Sequence, residues 1–148
     1  MTAEILPLLF QRDLEKLKLE ISSYTNEEDI WAVRENITNS GGNLCLHLTG
    51  NLKYFIGKML GGIAYERDRD KEFTDKNIPV TLLLSALDET SAAVKQTLEN
   101  LTQEDLLKPF PSKVLGYEMT TGYFLLHLYG HLNYHLGQIN YHRRLLNH

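Results

Sequence analysis

Six histidines in a chain of 148 residues are the side chains with most to say about chemistry, because four of them, His127, His131, His135 and His142, crowd into one short stretch. At 100° per residue of helix, these four and Gln138 fall within about 80° of one another and form one polar stripe. Leu125, Leu128, Leu132, Leu136 and Ile139 occupy other parts of the circumference, which predicts a helix with both faces inside a bundle. Two histidines at i, i+4 project one turn apart in the same direction, near enough to share a metal ion. The pairs His127/His131 and His131/His135 both satisfy that spacing. Burying imidazoles without partners costs on the order of 1–3 kcal/mol each, a cost that a bound cation removes. A third ligand has to come from another helix. His47 is the remaining histidine inside a predicted helix, about 60° from Leu44 and about 40° from Asn51 at the edge of the inward stripe. Three imidazoles leave coordination positions open, which is the pattern of a catalytic rather than a structural metal site.

Four helices are expected to position these residues. Phe10, Leu14, Leu17, Ile21 and Tyr24 recur at steps of four and three and predict the first, over about residues 5–24, with Pro7 tolerable only in the first turn. The second is expected over about residues 42–60, after cap candidates Thr38 and Ser40, with Gly61-Gly62 as its stop. The third follows Pro79 and covers about residues 80–101, with a stripe of Leu84, Leu87, Ser91, Val94, Leu98 and Leu101. The histidine helix is the last, from Thr120 or Thr121 to about residue 146. The charged stretch 65–76, YERDRDKEFTDK, reads as a solvated loop or ragged helix end, and 109–117 is too rich in proline and glycine for helix. No hairpin signal or internal repeat interrupts the pattern. The expectation is one all-α domain over residues 1–148, a four-helix bundle.

Bulk properties exclude several function classes. Hydrophobic and charged shares of 43% and 23% are those of an ordinary globular protein. A net charge of −4, with Arg143-Arg144 as the one short basic cluster, argues against nucleic acid as a partner. No apolar run of about 18 residues is present to span a membrane, and the N-terminus lacks the order of a signal peptide. A single cysteine, Cys45, cannot form an internal disulfide, which fits a reducing cytoplasm as the expected location.

The residues of the last helix and of the second resemble the DinB-like superfamily of bacterial four-helix bundles, a family that includes bacillithiol-transferase-like proteins. The family's last helix carries a histidine, another four residues on, then glycine-glutamine, matched by His131, His135, Gly137 and Gln138. Its remaining ligand lies in an HL context near the start of the second helix, matched by His47-Leu48, and His127 matches a histidine often present one turn earlier. The stretch 39–51 and the 67–70 region are similar to one poorly characterised branch. The resemblance spans essentially the whole chain. It implies an up-down-down-up bundle with a long crossing connection, often a homodimer, with a metal at His47, His131 and His135. That metal is nickel, zinc or iron according to the member. Some such proteins are transferases or isomerases that use a low-molecular-weight thiol.

Three function classes follow for a small-molecule substrate. A divalent cation deprotonates a coordinated thiol near neutral pH, which supports thiol transfer. It also lowers the pKa of water, which supports hydrolysis if a base stands nearby; His127 and His142 are the candidates. The third class is metal or ligand binding without catalysis. Gln138 is placed to hold a ligand's free ring nitrogen, Asn51 to bond an imidazole or water, and His127 and His142 to stand behind the ligands or line a substrate pocket. The core and the helix end are competing places for those last two histidines. Cys45 points about 160° from His47 and is expected as a buried free thiol. Asp68, Asp70 and Glu72 fail as a calcium loop because Phe73 stands where glycine is needed. Arg67 and Arg69 are expected in a solvated loop, or else gripping an acidic cofactor. Tyr129, Tyr134 and Tyr141 are expected to pack or to meet a second subunit.

Overall fold

A computed structural model describes residues 2–147. His148, the sixth histidine, lies outside the described residues. The chain forms α1 (Thr2–Ser22), a 3-10 turn (Glu27–Trp31), α2 (Gly41–Leu52) running into a π-helical turn (Lys53–Lys58), α3 (Arg69–Thr74), α4 (Val80–Glu99), α5 (Gln103–Leu107) and α6 (Thr121–Leu146). Among the described residues there is no strand; Arg34 with Ile37 and Pro109 with Thr120 form isolated bridges. No described helix is long and apolar enough to cross a membrane.

Side-chain pairs fix the directions of the four long helices. Asp13 meets Asn133 and Glu20 meets Asn140 and Arg143, so α1 and α6 run parallel. Gln11 bonds Ser91 while Lys18 bonds Asp88, so α4 runs against α1. His47 faces His131 and Phe55 faces Phe124, so α2 runs against α6. Lys53 reaches Glu89, and Gly57 lies beside Ala93 one turn further along both helices, so α2 and α4 are parallel. The result is the up-down-down-up bundle, and the parallel pair requires the long return across residues 59–79.

The core is built from the expected periodicity with local shifts of register. Leu6, Phe10, Leu14, Leu17 and Ile21 of α1 are buried against Leu44, Leu48 and Leu52 of α2, Leu87, Val94 and Leu98 of α4 and Leu125, Leu128, Leu132 and Ile139 of α6. Helix α1 starts and stops earlier than the pattern suggested, leaving Pro7 in its second turn, where it deprives one carbonyl of a partner close to the helix end. In α4, Leu83 and Thr90 are buried and Leu84 and Ser91 sit half-buried at the side; the helix ends at Glu99, short of Leu101. Ser40 caps α2, its hydroxyl accepting from the Asn43 amide at 3.1 Å. The expected straight second helix widens after Leu52: Met59 bonds Tyr54 and Gly61 bonds Ile56, five residues back. The extra residue in that turn lets the adjacent Phe55 and Ile56 both be buried.

Helix α6 buries one face only. Phe124, Leu125, Leu128, Leu132, Leu136 and Ile139 face the core, whereas Tyr134, Tyr141 and Leu145 are exposed, so His127, His131 and His135 lie along the rim of the bundle while His142 is buried. The charged stretch also departs from expectation: it contains α3, capped by Asp68, and it carries a buried glutamate, Glu72.

Candidate metal centre

Helix α2 contributes His47, which is buried, and α6 contributes the half-buried His131 and His135. The antiparallel packing of the two helices sets Nε2 of His47 3.1 Å from Nε2 of His131. One ring nitrogen from each of the three residues lies within 4.8 Å of the others. The ring planes are near perpendicular, at 78°, 86° and 89°, so the edges meet and the faces do not stack.

The far side of each ring shows how the donors are prepared. His47 Nδ1 is 3.0 Å from Oε1 of Glu72. A carboxylate only accepts, so His47 carries its proton on Nδ1 and presents a lone pair at Nε2. His135 Nδ1–H donates to Oε1 of Gln138 at 2.7 Å, which likewise frees Nε2. The Nδ1 of His131 is buried without a hydrogen-bond partner among the described residues. Burial pushes the His131 pKa down to about 4, helped by His135, His47, His127 and Arg67. Burial lowers His135 also, although its bond to Gln138 acts the other way. With Nδ1 of His47 and His135 each engaged on the far side, their Nε2 atoms face the centre beside the His131 ring. Three imidazoles are the donor set that a divalent cation of the nitrogen-preferring kind requires, so the residues fit a metal.

Glu72 is the functional side chain that sequence reasoning missed. Arg67 clamps it, Nε to Oε2 and Nη2 to Oε1, both at 2.9 Å. Burial pulls the Glu72 pKa upward, but the bonds from His47 and Arg67 outweigh it and hold the carboxyl below its ordinary value. Asn43 pins the backbone beneath, its amide donating to the carbonyls of Glu72 at 3.0 Å and Asp75 at 2.9 Å. Phe73 tilts against the His47 ring at 4.9 Å, and Arg69 covers Phe73. Arg67 is therefore an internal partner of Glu72, against the expectation of a solvated loop or a grip on an acidic cofactor, whereas Arg69 is exposed as a solvated loop predicts. A signal was present in Gly50, three residues after His47: a side chain there would strike the Glu72 carboxylate.

The other predicted residues are placed variously. Gln138 does hold a ring nitrogen, that of His135. His127 is exposed one turn before His131, its ring against Phe124, and lies outside the converging set. His142 is away from the centre: its Nδ1 accepts from the Tyr24 hydroxyl at 2.6 Å and its Nε2–H donates to the Ala32 carbonyl at 2.8 Å. At that level α6 faces the start of α2 and the preceding turn, so His142 ties the chain's connections together. Asn51 is buried, but its side-chain oxygen makes no hydrogen bond among the described residues, and the expected bond to an imidazole is not formed. Cys45 is a buried free thiol, its pKa pushed up to about 12 by burial. Tyr129 bonds the buried Asp13 on α1, while Tyr134 and Tyr141 face outward. A cleft of about 280 Å³ opens beside Gln138, lined by Asn36, Ile37, Leu44, Tyr141 and Leu145 among others.

The bundle has a counterpart in known proteins. The family model of the DinB superfamily matches residues 22–139, and the chain belongs to that superfamily. Among solved structures, a crystal structure of a DinB-like protein from Bacillus cereus ATCC 10987 superposes with a TM-score of 0.68 at 18% sequence identity, over 90% of this chain and 85% of that one. At that identity the likeness concerns the fold. No curated protein matches the chain.

Proposed function

We propose that this protein binds one divalent cation, nickel, zinc or iron, through His47, His131 and His135, and uses it to transfer a small thiol to an electrophile. The observation that carries the reading is the convergence of three imidazole nitrogens within 4.8 Å, two of them with their protons held on the opposite ring nitrogen. A cation held there supplies Lewis acidity that turns a coordinated thiol, with a free pKa near 8.5, into thiolate at neutral pH. The protein's part is to present three imidazole donors and keep ligand positions open on the rim. Hydrolysis is less well served. The carboxylate that touches the triad, Glu72, lies behind His47 and is doubly bonded to Arg67, so it does not face a water on the open side. His127, exposed one turn before His131, is the histidine left to take or give a proton there.

Elemental analysis of the purified protein beside His131→Ala tests the site; one equivalent of metal in the first and loss in the variant is expected, and equal content in both overturns it. Thiol consumption measured against a panel of electrophiles, then ester hydrolysis without thiol, tests the reaction class. Activity in the second assay alone makes the protein a hydrolase, and silence in both leaves a binding protein. A homodimer and a cytoplasmic location belong to the same reading. The exposed Tyr134, Tyr141 and Leu145 on α6 support pairing with a second copy, and gel filtration checks it.

A further inference from the structure

We infer that Glu72 is a positioning residue for His47, and that the strap of residues 65–76 thereby sets how tightly the centre holds its cation; this rests on the metal reading above. The carboxylate is 6% exposed and faces Nδ1 of a proposed ligand at 3.0 Å. Burying an anion is unfavourable, and an apolar anchor would have secured the strap more simply. Four arrangements keep the anion in place instead. Arg67 bonds both oxygens, Asn43 holds the Glu72 carbonyl, Gly50 leaves the space, and Phe73 braces the ring from the next position. A carboxylate behind a histidine fixes its tautomer and orientation and raises its basicity. His135 has a neutral amide in that role, in Gln138, so the two sides of the centre are held unequally. Because the strap supports His47, binding at His47 must in turn favour the docked strap.

The test uses zinc alone as probe, competed against a chromophoric chelator, on the full chain and its Glu72→Gln and Glu72→Ala variants. Losses of about 10- to 100-fold in zinc affinity are expected. Nitrogen-15 NMR of the histidines in metal-free wild type is expected to show His47 with its proton on Nδ1, shifting toward Nε2 in Glu72→Ala. A purely structural glutamate would lower the melting temperature and leave both readouts unmoved. The inference is overturned if both variants bind zinc within about twofold of wild type while His131→Ala does not bind it, or if wild-type His47 carries its proton on Nε2. Should His131→Ala retain zinc, the metal site itself is wrong, and the tautomer still decides the role of Glu72. That last readout needs only the wild-type chain, so a variant that does not fold leaves the question decidable.

Discussion

Gly50 and Glu72 share one volume: a Cβ on Gly50 would lie 1.9 Å from Oε2 of Glu72 and 2.6 Å from its Cδ. The glutamate is held at both oxygens and through its backbone, so it has little freedom to retreat. Gly50→Ala is therefore expected to push the strap off α2, with a loss of about 1–3 kcal/mol in urea denaturation, typical of overpacking. Zinc affinity should fall with it. An alanine variant as stable as wild type and equal in zinc affinity would show that the carboxylate moves freely.

Tyr24→Phe removes the hydroxyl that donates to His142 Nδ1 and leaves a buried acceptor without a partner. The expected destabilisation is about 1–3 kcal/mol, with metal content unchanged. Reduced metal content at undiminished stability would return His142 to the centre.

Stability of the metal-free protein is expected to fall with acid before any carboxylate is protonated. Burial holds His131, His135 and His142 below the ordinary histidine value in the folded state. The unfolded chain therefore takes up protons first. The stabilisation is complete above about pH 6.5 and is lost as pH falls from there toward the folded values, about 4 for His131. Discounted for its partial exposure to solvent, the His131 shift contributes on the order of 2 kcal/mol over that window. Urea midpoints measured from pH 7.5 to 5 should decline, and His131→Asn should flatten the decline. A midpoint that rises toward pH 5 contradicts the burial of these rings.

Cys45 is fully buried and its pKa is pushed up to about 12. It should resist an aromatic disulfide reagent in the native protein and react once per chain in denaturant. Fast native labelling would mean that α2 opens readily. The same experiment guards the thiol assay, since thiol consumed there must then come from solution.

The histidine pairing was legible because it depends on helix geometry alone: four residues bring His131 and His135 onto one side of α6, whatever the helix packs against. His142 satisfied the same rule and went elsewhere. A helical wheel gives direction but says nothing of the neighbour at a given height, and near the end of α6 that neighbour is Tyr24. The exposure of α6 was misjudged for a related reason, since histidine and tyrosine are common at a core edge and at a rim. Glu72 was illegible because nine of the twelve residues from 65 to 76 are acidic or basic and alike in sequence. Only the folded connection buries one of them and leaves Asp70 in solvent. In α4 a one-residue shift from Leu84 to Leu83 was beyond the pattern, because three consecutive leucines satisfy several phases of a helical repeat.

The parallel course of α2 and α4 obliges the chain to travel the length of the bundle before α4 can begin. An alternating bundle would close the same gap with a few residues and would have no segment free to stand behind His47. The detour supplies Arg67, Glu72 and Phe73 on a single short stretch that forms no part of the long-helix scaffold. Changes there alter the electronic character of one donor while leaving the four long helices and the spacing of the triad intact. Under the proposed metal reading, the wiring between helices is the place where the hold on a cation can be retuned without rebuilding the scaffold.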